Sequence, residues 1–176
     1  VEQTEKEIEK RLKDAIYGKD SQTLEGVVAQ LLREKGLKVA CAESCTGGLL
    51  GAAFTSLAGS TDYFDRGFIV YTNQAKVDQL GVDAHTIESF GAVSEQTACE
   101  MALGALRFSD ADVSISITGI AGPGGGTEEK PVGLVYIGLA HDGVVKAEKF
   151  NFYGDRKYVR TRTVKMALNM LRKHLQ

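Results

Sequence analysis

The order of patterns along the chain constrains its fold most: β-prone runs alternate with helix-patterned stretches, and a hairpin follows. Leu24, Val27, Val28, Leu31 and Leu32 recur on one face of a helix that Gly36 is placed to cap. Lys38 to Ala42 then reads as a first strand before the loop Glu43 to Gly48, and small residues continue as a helix to about Leu57. Phe68 to Tyr71 reads as a second strand leading into a helix with Lys76, Val77 and Leu80. Asp83 and Ser94 have the composition of N-caps for two further helices, the second carrying Ala98, Met101, Ala102 and Leu106. Val113 to Thr118 is a strand with alternating polar residues that enters a glycine-rich loop at 119 to 126. Val132 to Ala140 and Val144 to Phe150 flank His141-Asp142-Gly143, and Asp-Gly between two such runs signals a hairpin. Asp155 caps a long final helix ending near Leu175. The pattern predicts an α/β fold, three-layer α/β/α, with a mixed, mostly parallel sheet.

Upstream, Ile8, Leu12 and Ile16 predict a short amphipathic helix broken at Tyr17 to Asp20. With Val as the first residue, residues 1–21 are expected to be a helix and linker leading from an upstream domain, and 22–176 a domain of its own. A chain of 176 residues, 43% hydrophobic, can bury a core of its own. The net charge of −2 lacks the basic excess of a nucleic-acid binder. The one basic run, Arg156, Lys157, Arg160, Arg162, Lys165, Arg172 and Lys173, carries no aromatic stacking platform and reads as a solvated helix face. Three cysteines without a Cys-x-x-Cys pair suggest neither a disulfide framework nor a zinc site. No apolar run is long enough to span a bilayer. A cytoplasmic protein with no metal and no cofactor is expected, without membrane or nucleic-acid partners.

In open α/β sheets ligands bind at the carboxyl ends of the strands. Glu43, Ser44 and Thr46 follow the first strand, Tyr71, Thr72 and Asn73 end the second, and Thr118 and Gly119 end the third. Ser44 would sit at a helix start where the N–H groups of Thr46, Gly47 and Gly48 can hold a phosphate or an oxyanion. Equally, Ser44 or Thr46 is a plain helix cap. None of His85, His141 and His174 falls at a strand's carboxyl end, so Lys76, on the first turn after the second strand, is the candidate base, with Tyr71 to relay the proton or orient the amine. An exposed helical lysine is the plain alternative. Cys45 is a rival nucleophile, its side chain expected to diverge from that of Ser44. The 119 to 126 loop lacks both the Gly-Lys-Ser/Thr ending and the GxGxxG spacing of nucleotide loops. Arg66 and Arg156 are spare cations for a ligand phosphate.

The run Ala42-Glu-Ser-Cys-Thr-Gly-Gly48 resembles the signature of the CinA C-terminal domain family, which includes nicotinamide mononucleotide deamidases. Phe64-Asp-Arg-Gly67, Tyr71-Thr-Asn-Gln-Ala-Lys76, Gly91-Ala-Val-Ser-Glu95, Thr118-Gly-Ile-Ala-Gly-Pro123, Glu128-Glu-Lys-Pro-Val-Gly133 and Gly154-Asp-Arg156 follow in the same order. The segment Ile16-Tyr-Gly-Lys-Asp20 resembles the connection that precedes this domain in two-domain CinA proteins. The resemblance covers about residues 22 to 175 and implies hydrolysis of nicotinamide mononucleotide to nicotinate mononucleotide and ammonia. It implies Ser44 as nucleophile with Tyr71 and Lys76 as helpers, and a homodimer. Glu43, Thr46, Gly47, Gly48, Arg66, Asn73, Thr118, Gly119, Gly122 and Arg156 are the expected substrate-binding residues. The alternative is a nucleotide-binding or regulatory module without turnover, attached to an upstream domain.

Overall fold

A computed structural model describes Glu7, residues 10–12 and residues 15–176. Ile8, on which the expected N-terminal helix partly rests, lies outside the described residues. Helix α1 is Leu24–Lys35, N-capped by the Thr23 hydroxyl and closed by Gly36 at φ 65°. Strand β1, Val39–Glu43, is buried throughout. Helix α2, Leu49–Phe54, is shorter than its small-residue sequence suggests. It ends where the Thr55 hydroxyl donates back to the Gly51 carbonyl at 2.9 Å, a local bond that competes with further helix. Strand β2, Phe64–Ile69, begins four residues earlier than the apolar run Phe68 to Tyr71 predicts. It is an edge strand, where charged residues such as Asp65 and Arg66 are tolerated. Helices α3 (Asn73–Leu80), α4 (Ala84–Phe90) and α5 (Glu95–Arg107) follow, capped by Thr72, Asp83 and Ser94. Strand β3 is Val113–Gly119, β4 Leu134–His141, β5 Val144–Asn151, and α6 is Arg156–Leu175 with Asp155 as its cap.

The sheet order is β2-β1-β3-β4-β5. β1 is parallel to β2 and β3, β4 is antiparallel to β3, and β5 is antiparallel to β4. Four strands therefore point one way, and the sheet is mixed as expected. The β4–β5 turn has positive φ at both Asp142 (50°) and Gly143 (75°), the geometry an Asp-Gly hairpin requires.

Because side chains alternate along a strand, each strand feeds two cores. Val39 and Cys41 of β1 and Val113, Ile115 and Ile117 of β3 pack with Val28 and Leu32 of α1 and Leu168 and Leu171 of α6. On the other face Ala40 and Ala42 meet Leu80, Ile87, Met101 and Ala105 from α3, α4 and α5. The alternate residues of β3 are hydroxylic. Ser114 and Ser116 donate to the carbonyls of Ala102 and Ala98 on α5, and Thr118 to that of Ala92, each at 2.6 Å. These bonds satisfy buried hydroxyls and draw α5 close to the sheet.

α5 also lies tight against α3. A Cβ at Gly104 would stand 2.1 Å from the Leu80 carbonyl oxygen, a backbone atom that cannot swing aside. Gly104→Ala is therefore expected to lower stability by about 2–3 kcal/mol, the cost of overpacking, measured as the shift in denaturant midpoint. A midpoint equal to that of the wild type would contradict the packing described.

Candidate active site

The parallel strands deliver their loops to one end of the sheet, around a cavity of about 260 Å³. Ser44, Tyr71, Asn73, Lys76, Thr118, Gly119, Gly122 and Arg156, all named from the sequence, line it. The side chain that decides its chemistry is Lys76. It is 1% exposed, on the first turn of α3. Its Nζ is 3.2 Å from Ser44 Oγ and donates to the carbonyls of Val70 (3.0 Å), Tyr71 (3.3 Å) and Thr72 (3.4 Å). Val70 and Thr72 bracket the turn from β2 into α3, so the backbone that ends one element holds the amine of the next. Burial disfavours the ammonium and pulls Lys76 below the ordinary lysine value, against a smaller upward push from Cys45.

Ser44 follows β1 directly, and its N–H donates to the Ile117 carbonyl of β3 at 3.0 Å. Its hydroxyl is turned to the Tyr71 carbonyl, 3.5 Å away, and to Lys76. The Ser44 carbonyl accepts from the Gly47 N–H at 3.2 Å, closing a turn over residues 44–47. Glu43 is not a lining residue. Its buried carboxylate accepts from the N–H groups of Gly48 (3.1 Å), Leu50 (3.0 Å) and Gly51 (2.8 Å), so it caps α2 from within. The amides of Gly47 and Gly48, expected to be free for a ligand, are thus already engaged. The Thr46 N–H donates to no protein acceptor among the described residues. The Thr46 hydroxyl is buried without a hydrogen-bond partner.

Tyr71 is 57% exposed, and its phenol points to Arg156 Nη2 (3.2 Å) rather than to the lysine. Its backbone carbonyl, not its ring, meets Lys76 and Ser44. Arg156 Nη1 donates to the Gly122 carbonyl at 2.7 Å, next to the cis Gly122–Pro123 peptide, and so ties α6 to the glycine-rich loop. Arg66 lies elsewhere: it reaches the Phe108 carbonyl and Asp110, at the end of the sheet where β3 begins. Nothing in this placement brings it to the cavity.

Cys45 also lines the cavity, but its side chain belongs to the buried apolar cluster while the Ser44 hydroxyl faces Lys76, and burial pushes the thiol up to about 11. A thiol held protonated is a poor nucleophile beside the serine. Sequence reasoning missed the apolar wall Ala92, Val93, Ile120 and Ala121. It also missed Arg160, whose guanidinium donates to the carbonyls of Cys45 (3.1 Å) and Thr46 (2.6 Å). The four-residue spacing from Arg156, which puts both on one face of α6, is the signal that was present. The basic run is not uniformly solvated either: Arg160 is half-buried, and Arg172 is buried and donates to Asn169 and Gln176.

Comparison with known proteins shows the family. The CinA C-terminal domain family matches residues 21–175. The chain belongs to that family. It is 54% identical over 172 residues to a protein of Clostridium perfringens named as a competence-damage inducible protein, covering 98% of this chain and 42% of that one. A protein of the same name from Caldicellulosiruptor saccharolyticus is 53% identical over 98% of this chain and 42% of its own. The chain thus spans less than half the length of these curated relatives. Among solved structures, competence/damage inducible protein CihA from Agrobacterium tumefaciens has a TM-score of 0.80 and 45% identity, covering 90% of this chain and 99% of that chain. The competence damage-inducible protein A of Klebsiella pneumoniae has a TM-score of 0.84 and 36% identity, with 86% and 94% covered. No helix among the described residues is long and apolar enough to cross a membrane.

The lowered Lys76 value has a consequence for stability. Between that value and the ordinary one, the unfolded chain holds a proton that the folded chain lacks, so stability rises with pH across this window. Chemical denaturation of wild type and Lys76→Met over alkaline pH is expected to show this rise in the wild type and a flatter profile in the variant. Parallel profiles would mean that the buried amine stays protonated.

Proposed function

We propose that this domain is an amidohydrolase that converts nicotinamide mononucleotide to nicotinate mononucleotide and ammonia, with Ser44 as nucleophile and Lys76 as general base. The observation that carries the reading is the buried 3.2 Å contact between Lys76 Nζ and Ser44 Oγ. A serine hydroxyl needs a base to attack an amide, and a desolvated amine serves where no imidazole is present. In the neutral amine two N–H groups donate to carbonyls of the β2–α3 turn, leaving the lone pair for the serine proton.

The steps follow from this placement. Lys76 takes the proton as Ser44 Oγ bonds to the carboxamide carbon. The oxyanion is met by backbone N–H groups of the loops that line the cavity. Lys76 returns its proton to the amide nitrogen, the C–N bond breaks, and ammonia leaves an acyl ester on Ser44. Water then gives a proton to Lys76 and adds to the ester, and the acid departs with Ser44 restored. The pyridine ring would rest on Val93, Ile120 and Ala121, and Arg156 at the rim would face the phosphate. Asn73, Thr118, Gly119 and Gly122 shape the remaining wall, Thr118 by holding Ala92 in place. Residence in the cytoplasm, assembly as a homodimer, and a division into a linker at 1–21 and a catalytic domain from 22 are part of the same proposal.

One observation favours a second reading, a nucleotide-binding module without turnover. The three carbonyls around Lys76 Nζ would also suit an ammonium, which cannot act as a base. Incubation with nicotinamide mononucleotide separates the two, and ammonia release by the wild type is expected. Ser44→Ala is expected to remove at least 10³-fold of the rate and Lys76→Met a similar factor, both staying folded. Tight nucleotide binding with no ammonia would support the second reading.

The rate should also follow the amine. Because the base must be unprotonated, kcat/KM is expected to rise with pH through a value below that of an ordinary lysine. A rate independent of pH through the alkaline range would remove Lys76 from the base role.

A further inference from the structure

The structure assigns Arg160 a role in the same site: we infer that it is the positioning residue that fixes the 44–47 turn and, with it, the Ser44 hydroxyl. This rests on Ser44 being the nucleophile. Arg160 lies 115 residues from Cys45, on the second turn of α6, so its contact is a product of the fold. Nε donates to the Cys45 carbonyl at 3.1 Å and Nη2 to the Thr46 carbonyl at 2.6 Å. These belong to two consecutive peptide units. The first of them, Cys45–Thr46, carries the Thr46 N–H.

In a trans peptide the N–H points opposite to the C=O, so a cation on the Cys45 oxygen leaves the Thr46 N–H facing away from Arg160. The first bond thereby fixes the plane of the Cys45–Thr46 peptide. The second bond fixes the next plane. The Thr46–Gly47 unit then presents its N–H to the Ser44 carbonyl, which closes the turn. From the other side the Glu43 carboxylate holds the amides of Gly48, Leu50 and Gly51. The loop is held by its carbonyls at one end and its amides at the other, with Ser44 at its start. A planar guanidinium reaches two carbonyls at once in a fixed geometry, which the single flexible ammonium of lysine does not reproduce.

Two readouts test this. The first is amide hydrolysis. The second is labelling of Ser44 by a fluorophosphonate, in which the Oγ–P bond forms, fluoride leaves and Lys76 takes the proton, so it does not depend on the natural substrate. Arg160→Lys is expected to lower kcat and the labelling rate by on the order of tenfold to a hundredfold, with KM within about twofold, a smaller loss than deleting a direct donor. Free methylguanidinium is expected to restore part of the labelling rate in Arg160→Ala. A merely structural residue would lower the melting temperature without this split or rescue. Wild-type labelling without ammonia release, together with slow labelling of Arg160→Lys, would reject the amide substrate and keep the Arg160 role. Labelling of Arg160→Lys at the wild-type rate, a change confined to KM, or no labelling of wild-type Ser44 would each overturn it. Should Arg160→Ala not fold, Arg160→Lys decides alone.

Discussion

A single buried carboxylate turns the chain at the end of its central strand. Glu43 is the last residue of β1, and its oxygens take three of the amides that a helix start leaves without partners. A side-chain cap one residue before the helix is the usual solution, but Gly48 has no side chain to offer. The carboxylate instead reaches forward from the strand, and the four residues between are free to form the turn that presents Ser44. An anion in the interior is tolerated because its acceptors are filled by N–H groups at the positive end of a helix.

The amine of Lys76 is the counterpart on the helix that follows the neighbouring strand. It is held by the carbonyls that close β2 and open α3. The two polar groups do not pair with each other. Each is satisfied by backbone from its own connection, which keeps the lysine from being neutralised by the carboxylate as an ion pair. Ser44 stands between the two arrangements, bonded through its N–H to β3 and through its hydroxyl to Lys76. The position of the hydroxyl thus rests on three strands.

Much of this was legible in the sequence, for identifiable reasons. The caps Asp83, Ser94 and Asp155 and the Asp142-Gly143 turn are local signals, and each stands where its residue type predicts. The strand-end rule named Ser44, Tyr71, Asn73, Thr118 and Gly119, which line one cavity together with Lys76 and Arg156. What escaped depends on contacts far apart in the chain. Arg160 was read with its basic neighbours as a solvated face because helical periodicity cannot show which cations meet carbonyls of a distant loop. Arg66 was misplaced because a strand residue's side chain can lean toward either end of the sheet. The start of β2 was missed because an edge strand needs apolar residues on one face only. Glu43 was read as a ligand contact because position at a strand end does not say whether a side chain turns outward or inward.

The hydroxyls of β3 fix more than distance. Two residues of strand advance about 6.6 Å and four residues of helix about 6.0 Å. Ser114 and Ser116 meet carbonyls four apart on a helix that runs the opposite way, Ala102 and then Ala98. The two lattices are nearly commensurate, so the strand and helix engage like a rack, and sliding one against the other by a single residue would unseat both contacts together. The last tooth, Thr118 on the Ala92 carbonyl, lies at the cavity wall. The depth of the binding site is thereby indexed to the helix–sheet packing beneath it.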